Sequence, residues 1–163
     1  MRISAIAALL AAAVLLGACN ASAPPTKPAA SNEPARVAIP SLQFVPLSAF
    51  SPKNQPEPGA TVAAGTYKPL MSGEHIVSAT WIKGGSADAP EFVLHLTFDD
   101  AGRATLARWT TAHVGESMAV LLGDRVLQVA EVAGPLTDGS IVLGGPTVTG
   151  MRSEIDSATV ATP

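Results

Sequence analysis

Cysteine occurs once in this 163-residue sequence, at position 19, which excludes an intrachain disulfide and a cysteine metal cluster. Aromatic residues are also few: four Phe, two Trp and one Tyr, so Leu, Val, Ile and Ala must fill the core. The net charge of −3 is mild, and no basic stripe or aromatic-interleaved basic run occurs, which argues against a nucleic-acid partner. The three histidines, His75, His95 and His113, show no metal-binding spacing, and the serines lack a nucleophile-elbow context. These absences point away from an enzyme and away from any cofactor or metal.

What is present begins at the N-terminus. Met1 and Arg2 give a short positive start, and Ile3 to Leu16 is apolar apart from Ser4. That run is too short for a transmembrane helix, which needs about 20 residues, but it suits a signal peptide. Leu16, Gly17, Ala18 and Cys19 follow in the order of a bacterial lipobox. The resemblance implies cleavage after residue 18, diacylglyceryl transfer to the Cys19 sulfur and acylation of the new amino group. The other reading is an ordinary secretory signal with a chance cysteine near its cleavage site. Asn20 after the cysteine favours the outer membrane, by analogy with Gram-negative lipoprotein sorting. No later segment could span a bilayer, so the lipid is expected to be the only anchor.

From Asn20 to Pro58 the composition turns to Ala, Pro and Ser. Proline removes backbone donors and disfavours helix at the preceding residue, so this stretch is expected to build no regular element. As a flexible coil it would reach about 35 Å, and as polyproline about 120 Å. Within it, Val37 to Leu47 is apolar. It is expected either to pack on the domain as an irregular arm, or to dock a partner through Ile39, Leu42, Phe44, Val45 and Leu47.

Periodic signals begin at Gly73. Ile76 to Ile82 is β-branched enough for a strand, and Phe92, Leu94, Leu96 and Phe98 alternate as a half-buried strand requires. Asp99 or Asp100 would cap a helix running to about His113, with Gly102, Leu106, Trp109 and His113 on one face. Gly115 ends it, Met118 to Leu122 and Arg125 to Glu131 form a hairpin around Gly123-Asp124, and short extended pieces lie around Leu136 and Ile141 to Leu143. This order predicts an α+β fold, one helix on a small, mainly antiparallel sheet. The expected organisation is a signal peptide over 1–18, a lipid-anchored linker over 19–58, a domain over 59–150 and a tail over 151–163. Gly144-Gly145-Pro146 is expected to be a turn with no helix after it, and Met151 to Pro163 to lack a helix.

Phe98-Asp99-Asp100-Ala101-Gly102, Leu106-Ala107, Thr110, Val114-Gly115 and Met118 to Leu122 resemble the head of the large periplasmic domain of SecD. So do Gly123-Asp124-Arg125-Val126, Pro135 to Ile141, and the approach at Leu70 to Glu74. The resemblance covers Leu70 to Gly145. It departs in the order of Gly123-Asp124, in Ala130 where proline is common, and in Asp138 where the first of two glycines is usual. It implies a head that contacts polypeptide late in export; coupling to a proton gradient is not expected to carry over without membrane spans.

Asp99 and Asp100 are read as helix caps, and His113 as suited to the negative end of the helix dipole. Glu74 and His75, as strand neighbours, would point to opposite sides. An enzyme would require several of Glu74, His75, His95, Asp99 and His113 to converge. The expected function is therefore a lipid-anchored, periplasm-facing binding or accessory module of the envelope that engages extended polypeptide or export machinery. The alternative is a structural or assembly subunit of an outer-membrane complex.

Overall fold

In the computed structural model, residues 36–53, 55–63, 65–85 and 90–162 are described. All belong to one unit, 34–163. The lipobox residues Leu16, Gly17, Ala18 and Cys19 lie outside the described residues.

The apolar segment inside the proline-rich stretch forms regular structure, contrary to expectation. It supplies β1 (Arg36–Ala38), β2 (Leu42–Pro46) and a 3-10 turn (Leu47–Ala49). The prolines permit this because they stand at element ends: Pro40 lies in the turn between the strands, and Pro46 is the last residue of β2. Proline is tolerated there because no ladder bond inside the strand is lost. β3 (Met71–Ser72) and a 3-10 turn (Gly73–His75) lead into β4 (Ile76–Gly85) and β5 (Pro90–Phe98). Then come α1 (Asp100–Ala112), β6 (Ser117–Leu122), β7 (Arg125–Glu131) and β8 (Ser140–Leu143).

The C-terminal segment is also ordered rather than a tail. α2 (Pro146–Gly150), α3 (Arg152–Ala158) and β9 (Val160–Thr162) occupy it. The Ser, Thr and Asp residues of this segment favour caps and turns over helix interiors, which hid α3 from propensity. Tertiary packing stabilises it instead. Met151 and Ile155 are buried, and the Arg152 guanidinium lies 4.4 Å from the Phe92 ring centroid and 5.3 Å from that of Trp81. Trp81 Nε1 donates to Asp156 Oδ1 at 2.7 Å. Gly145, at φ 102°, starts α2 with Pro146 at the first helical position, so the Gly-Gly-Pro run opens a helix.

The strands pair antiparallel throughout, in three sheets ordered β1-β9, β3-β2-β6-β7 and β4-β5-β8. With the helices this is the small α+β fold the sequence predicts. Alternation along β2 and β6 divides the interior. Leu42, Phe44, Met118 and Val120 face a main core shared with Leu94, Leu96, Phe98 and Leu106. Val45, Ala119 and Leu121 face a second cluster with Phe50, under Tyr67 and Val62. The sheet containing β2 is thus buried on both faces.

On α1 the fully inward positions are Gly102, Leu106 and Thr110, with Trp109 and His113 half-buried beside them. Thr110 is tolerated there because its hydroxyl donates to Leu106 C=O at 2.8 Å and accepts from Leu136 N–H at 2.9 Å. The segment around Leu136 forms no strand; that bond to the helix takes the place of a ladder.

Candidate functional site

The docking candidates Ile39, Leu42, Phe44 and Val45 are all 0% exposed, and Leu47 packs partly buried against the second cluster. In the folded domain they are core, and their surfaces are already covered. The physical reason is topological: β2 lies between β3 and β6, so both of its faces and both of its edges are occupied.

The titratable candidates separate into distinct places. Glu74 and His75 lie in a 3-10 turn and not in a strand, which turns His75 toward Asp99 and leaves Glu74 exposed. His75 Nδ1 sits 3.1 Å from Asp99 Oδ2, and Asp99 Oδ1 accepts from Gly102 N–H at 2.7 Å as the cap of α1. Asp99 N–H donates to His75 C=O at 2.9 Å, closing the link between turn and helix. Gly102 is needed because a Cβ there would stand 2.8 Å from His75 Cβ. Partial burial pushes the Asp99 carboxyl up, but the Gly102 N–H and the His75 ring outweigh it and hold the group below its ordinary value.

Asp100 is exposed and pairs with Arg103 at 2.7 Å. His113 stacks on Trp109, with centroids 4.6 Å apart, and its Nδ1 lies 2.7 Å from Trp109 C=O. His95 is on the outward face of β5, opposite Thr80 and Val142. Among the described residues no group of three or more His, Cys, Asp and Glu could hold a metal. The only candidates brought together are therefore His75 and Asp99, and their contacts brace a helix start.

Asp99→Ala is accordingly expected to destabilise the domain by about 1 kcal/mol, the usual value of a lost cap. The contact with the His75 ring adds little, since both side chains are 39% exposed. The folded pKa of Asp99 is depressed, so its contribution is present above the unfolded value of about 3.9 and is lost as pH falls through the folded value. Urea midpoints of wild type and variant should differ at pH 7 and converge toward pH 2.

A different place offers a surface for recognition. β7 and β8 end their respective sheets, and between them lies a groove of about 360 Å³ lined by Met118, Val120, Val132, Leu136, Ile141 and Leu143. The backbone phase of β8 follows from Phe98 N–H donating to Gly139 C=O at 2.9 Å. Hydrogen-bonded pairs recur every second residue, so Ile141 and Leu143 exchange bonds with Leu96 and Leu94. The N–H and C=O groups of Ser140 and Val142 then point away from β5. Two side chains confirm that direction. Asp138 Oδ1 accepts from Ser140 N–H at 3.3 Å, and Gln128 Oε1 reaches across from β7 to accept from Gly144 N–H at 2.9 Å. Between these two capped donors Val142 stands open, 54% exposed as a residue. Sequence reasoning missed Gln128 and Val142. Nothing local marks Gln128; the one signal for Val142 was its outward place in a short strand after the Asp138-Gly139 turn.

Comparisons with known proteins agree with this architecture. No curated protein matches the chain. Among solved structures, a membrane component described as SecDF that enhances protein export superposes with a TM-score of 0.54 at 17% identity, covering 76% of this chain and 61% of that one. SecDF in its super-membrane-facing form gives 0.53 at 15% identity, covering 78% of this chain and 20% of that one. The chain thus spans less than two thirds of either relative, and at these identities the likeness is one of fold. The sequence pattern of the SecDF P1 head subdomain matches residues 49–157, more than half of the chain. The chain belongs to the SecDF P1 head subdomain family.

Proposed function

We propose that this protein is a non-enzymatic accessory module of the envelope, held on the periplasmic side of the outer membrane by acyl chains on Cys19, that engages extended polypeptide. The observation that carries this reading is the open edge of β8 above an aliphatic groove. Strand addition on such an edge uses backbone hydrogen bonds, which suits a partner defined by being extended more than by its sequence. Membership of the SecDF P1 head family supports a role beside protein export. Among the described residues no helix is long and apolar enough to cross a membrane. The anchor is assigned to the lipobox, since two or more acyl chains hold a protein stably where one is marginal.

Crosslinking and recovery from intact envelopes tests this, using the lipidated chain beside Cys19→Ala. The wild type should fractionate with the outer membrane and recover unfolded exported chains or translocon components, while Cys19→Ala, which can be neither acylated nor cleaved as a lipoprotein, should be lost from the outer-membrane fraction. Recovery of one fixed outer-membrane complex with no unfolded chain would replace this reading with that of an assembly subunit.

A further inference from the structure

Two side chains at the β8 edge occupy positions that a neighbouring strand would otherwise fill. Gln128 Oε1 and Asp138 Oδ1 accept from Gly144 and Ser140 N–H, and these donors flank the open Val142 on the same side of the strand. A side-chain amide oxygen is chemically close to a backbone carbonyl, so Gln128 mimics one rung of a ladder and can be displaced by a real one. Gln128 belongs to β7, and its bond is the visible tie across the mouth of the groove.

The charge around the groove narrows the occupant. Glu131 and Asp138 line it, and no lysine or arginine does. Arg103 packs its stem under Gly139 but is paired with Asp100. The floor is aliphatic, with Met118, Val120, Ile141 and Leu143 pointing into it. A strand laid along β8 would send every second side chain toward that floor and the others outward past the acidic rim.

We infer that the edge of β8 from Ser140 to Gly144 is a strand-addition site for a short extended segment that alternates aliphatic and basic side chains, and that Gln128 is its internal competitor. This rests on the polypeptide-binding reading above and adds to it the place and the chemical class of the partner.

The test uses the full chain in a non-ionic detergent and labelled seven-residue peptides read by fluorescence polarisation, with signal from micelles alone subtracted. An alternating valine–lysine peptide should bind, and its valine–glutamate counterpart should bind about tenfold more weakly or worse, because rim charges chiefly discriminate between partners. Methylating the backbone nitrogens of alternate residues in the valine–lysine peptide should remove binding with the protein unchanged. Val142→Pro removes the open N–H at an edge position where proline is tolerated, and should weaken binding by about tenfold or more. Gln128→Ala frees the Gly144 donor and should tighten binding several-fold. If the valine–lysine peptide binds wild type, Val142→Pro and its own methylated form alike, the site assignment is overturned while polypeptide binding stands. If neither the peptides nor a permanently unfolded polypeptide binds wild type, the polypeptide-binding reading falls and this one with it.

Discussion

Gly73→Ala is expected to be the most damaging small substitution in the domain. An added Cβ would stand 2.0 Å from the Ile39 carbonyl oxygen, 2.9 Å from its carbonyl carbon and 3.0 Å from Leu42 Cβ. Two of these are backbone atoms, which no rotamer change can move. Gly73 C=O also accepts from Ile39 N–H at 3.1 Å, so separating the segments breaks the bond that holds β1 and β2 against the turn before β4. Overpacking commonly costs 1–3 kcal/mol, and a backbone clash with a lost buried hydrogen bond belongs at or above the top of that range, about 3 kcal/mol or more. Thermal unfolding should show a midpoint lowered by about 12 °C or more for a domain of this size. Gly134→Ala is the control, because nothing lies within 4 Å of its added Cβ, and its midpoint should stay near wild type. An equal midpoint for Gly73→Ala would mean that the N-terminal strands do not pack as described.

Phe44→Ala should have a comparable effect by the opposite mechanism. Phe44 is fully buried in the middle of β2 and meets Phe98 edge-on, with ring centroids 5.4 Å apart. Removing it leaves a cavity between the sheet of β2 and the sheet of β5, and such truncations cost about 3–5 kcal/mol. A domain of ordinary stability has about 5–15 kcal/mol in total, so the variant would lose much of its margin. Denaturant unfolding should show a lower midpoint with little change in slope. A change below about 0.5 kcal/mol would instead match a surface residue and would restore the docking reading of residues 37–47. Gly73 and Phe44 act on the same pair of strands, so their effects should not simply add.

Much of the fold was legible because its signals are local. The alternation from Phe92 to Phe98, the Asp99 cap and the hairpin around Gly123-Asp124 each need only neighbouring residues, and β5, α1, β6 and β7 appear where they predict. The elements that local signals hide are those stabilised from a distance. β1 and β2 look like tether because prolines surround them, yet the six-residue spacing of Pro34, Pro40 and Pro46 leaves room for a strand between each pair. α3 has weak propensity and forms because Ile155 is buried and Arg152 lies against two aromatic rings.

The site was less legible still. His75 meets Asp99 across 24 residues of chain, and a short 3-10 turn, not a strand, aims the ring. The groove exists only because two edges from separate sheets face one another, a relation that no periodicity encodes. The sequence resemblance did point to the family, since its motifs sit on α1, β6 and the β6–β7 turn, the locally encoded part of the fold.

The pairing of β1 with β9 sets Arg36 directly opposite Thr162. The folded unit therefore receives and returns its chain at one spot, on neighbouring strands about 5 Å apart. A unit with that property can be set into a surface loop of a host protein as an inserted cassette without stretching the host's own backbone. It can equally be reconnected through its two ends and opened at an exposed turn such as Gly123-Asp124, with its layers kept in the same order. Whether it hangs from a single strand of chain or interrupts a longer one, its groove and its open edge would be presented unchanged.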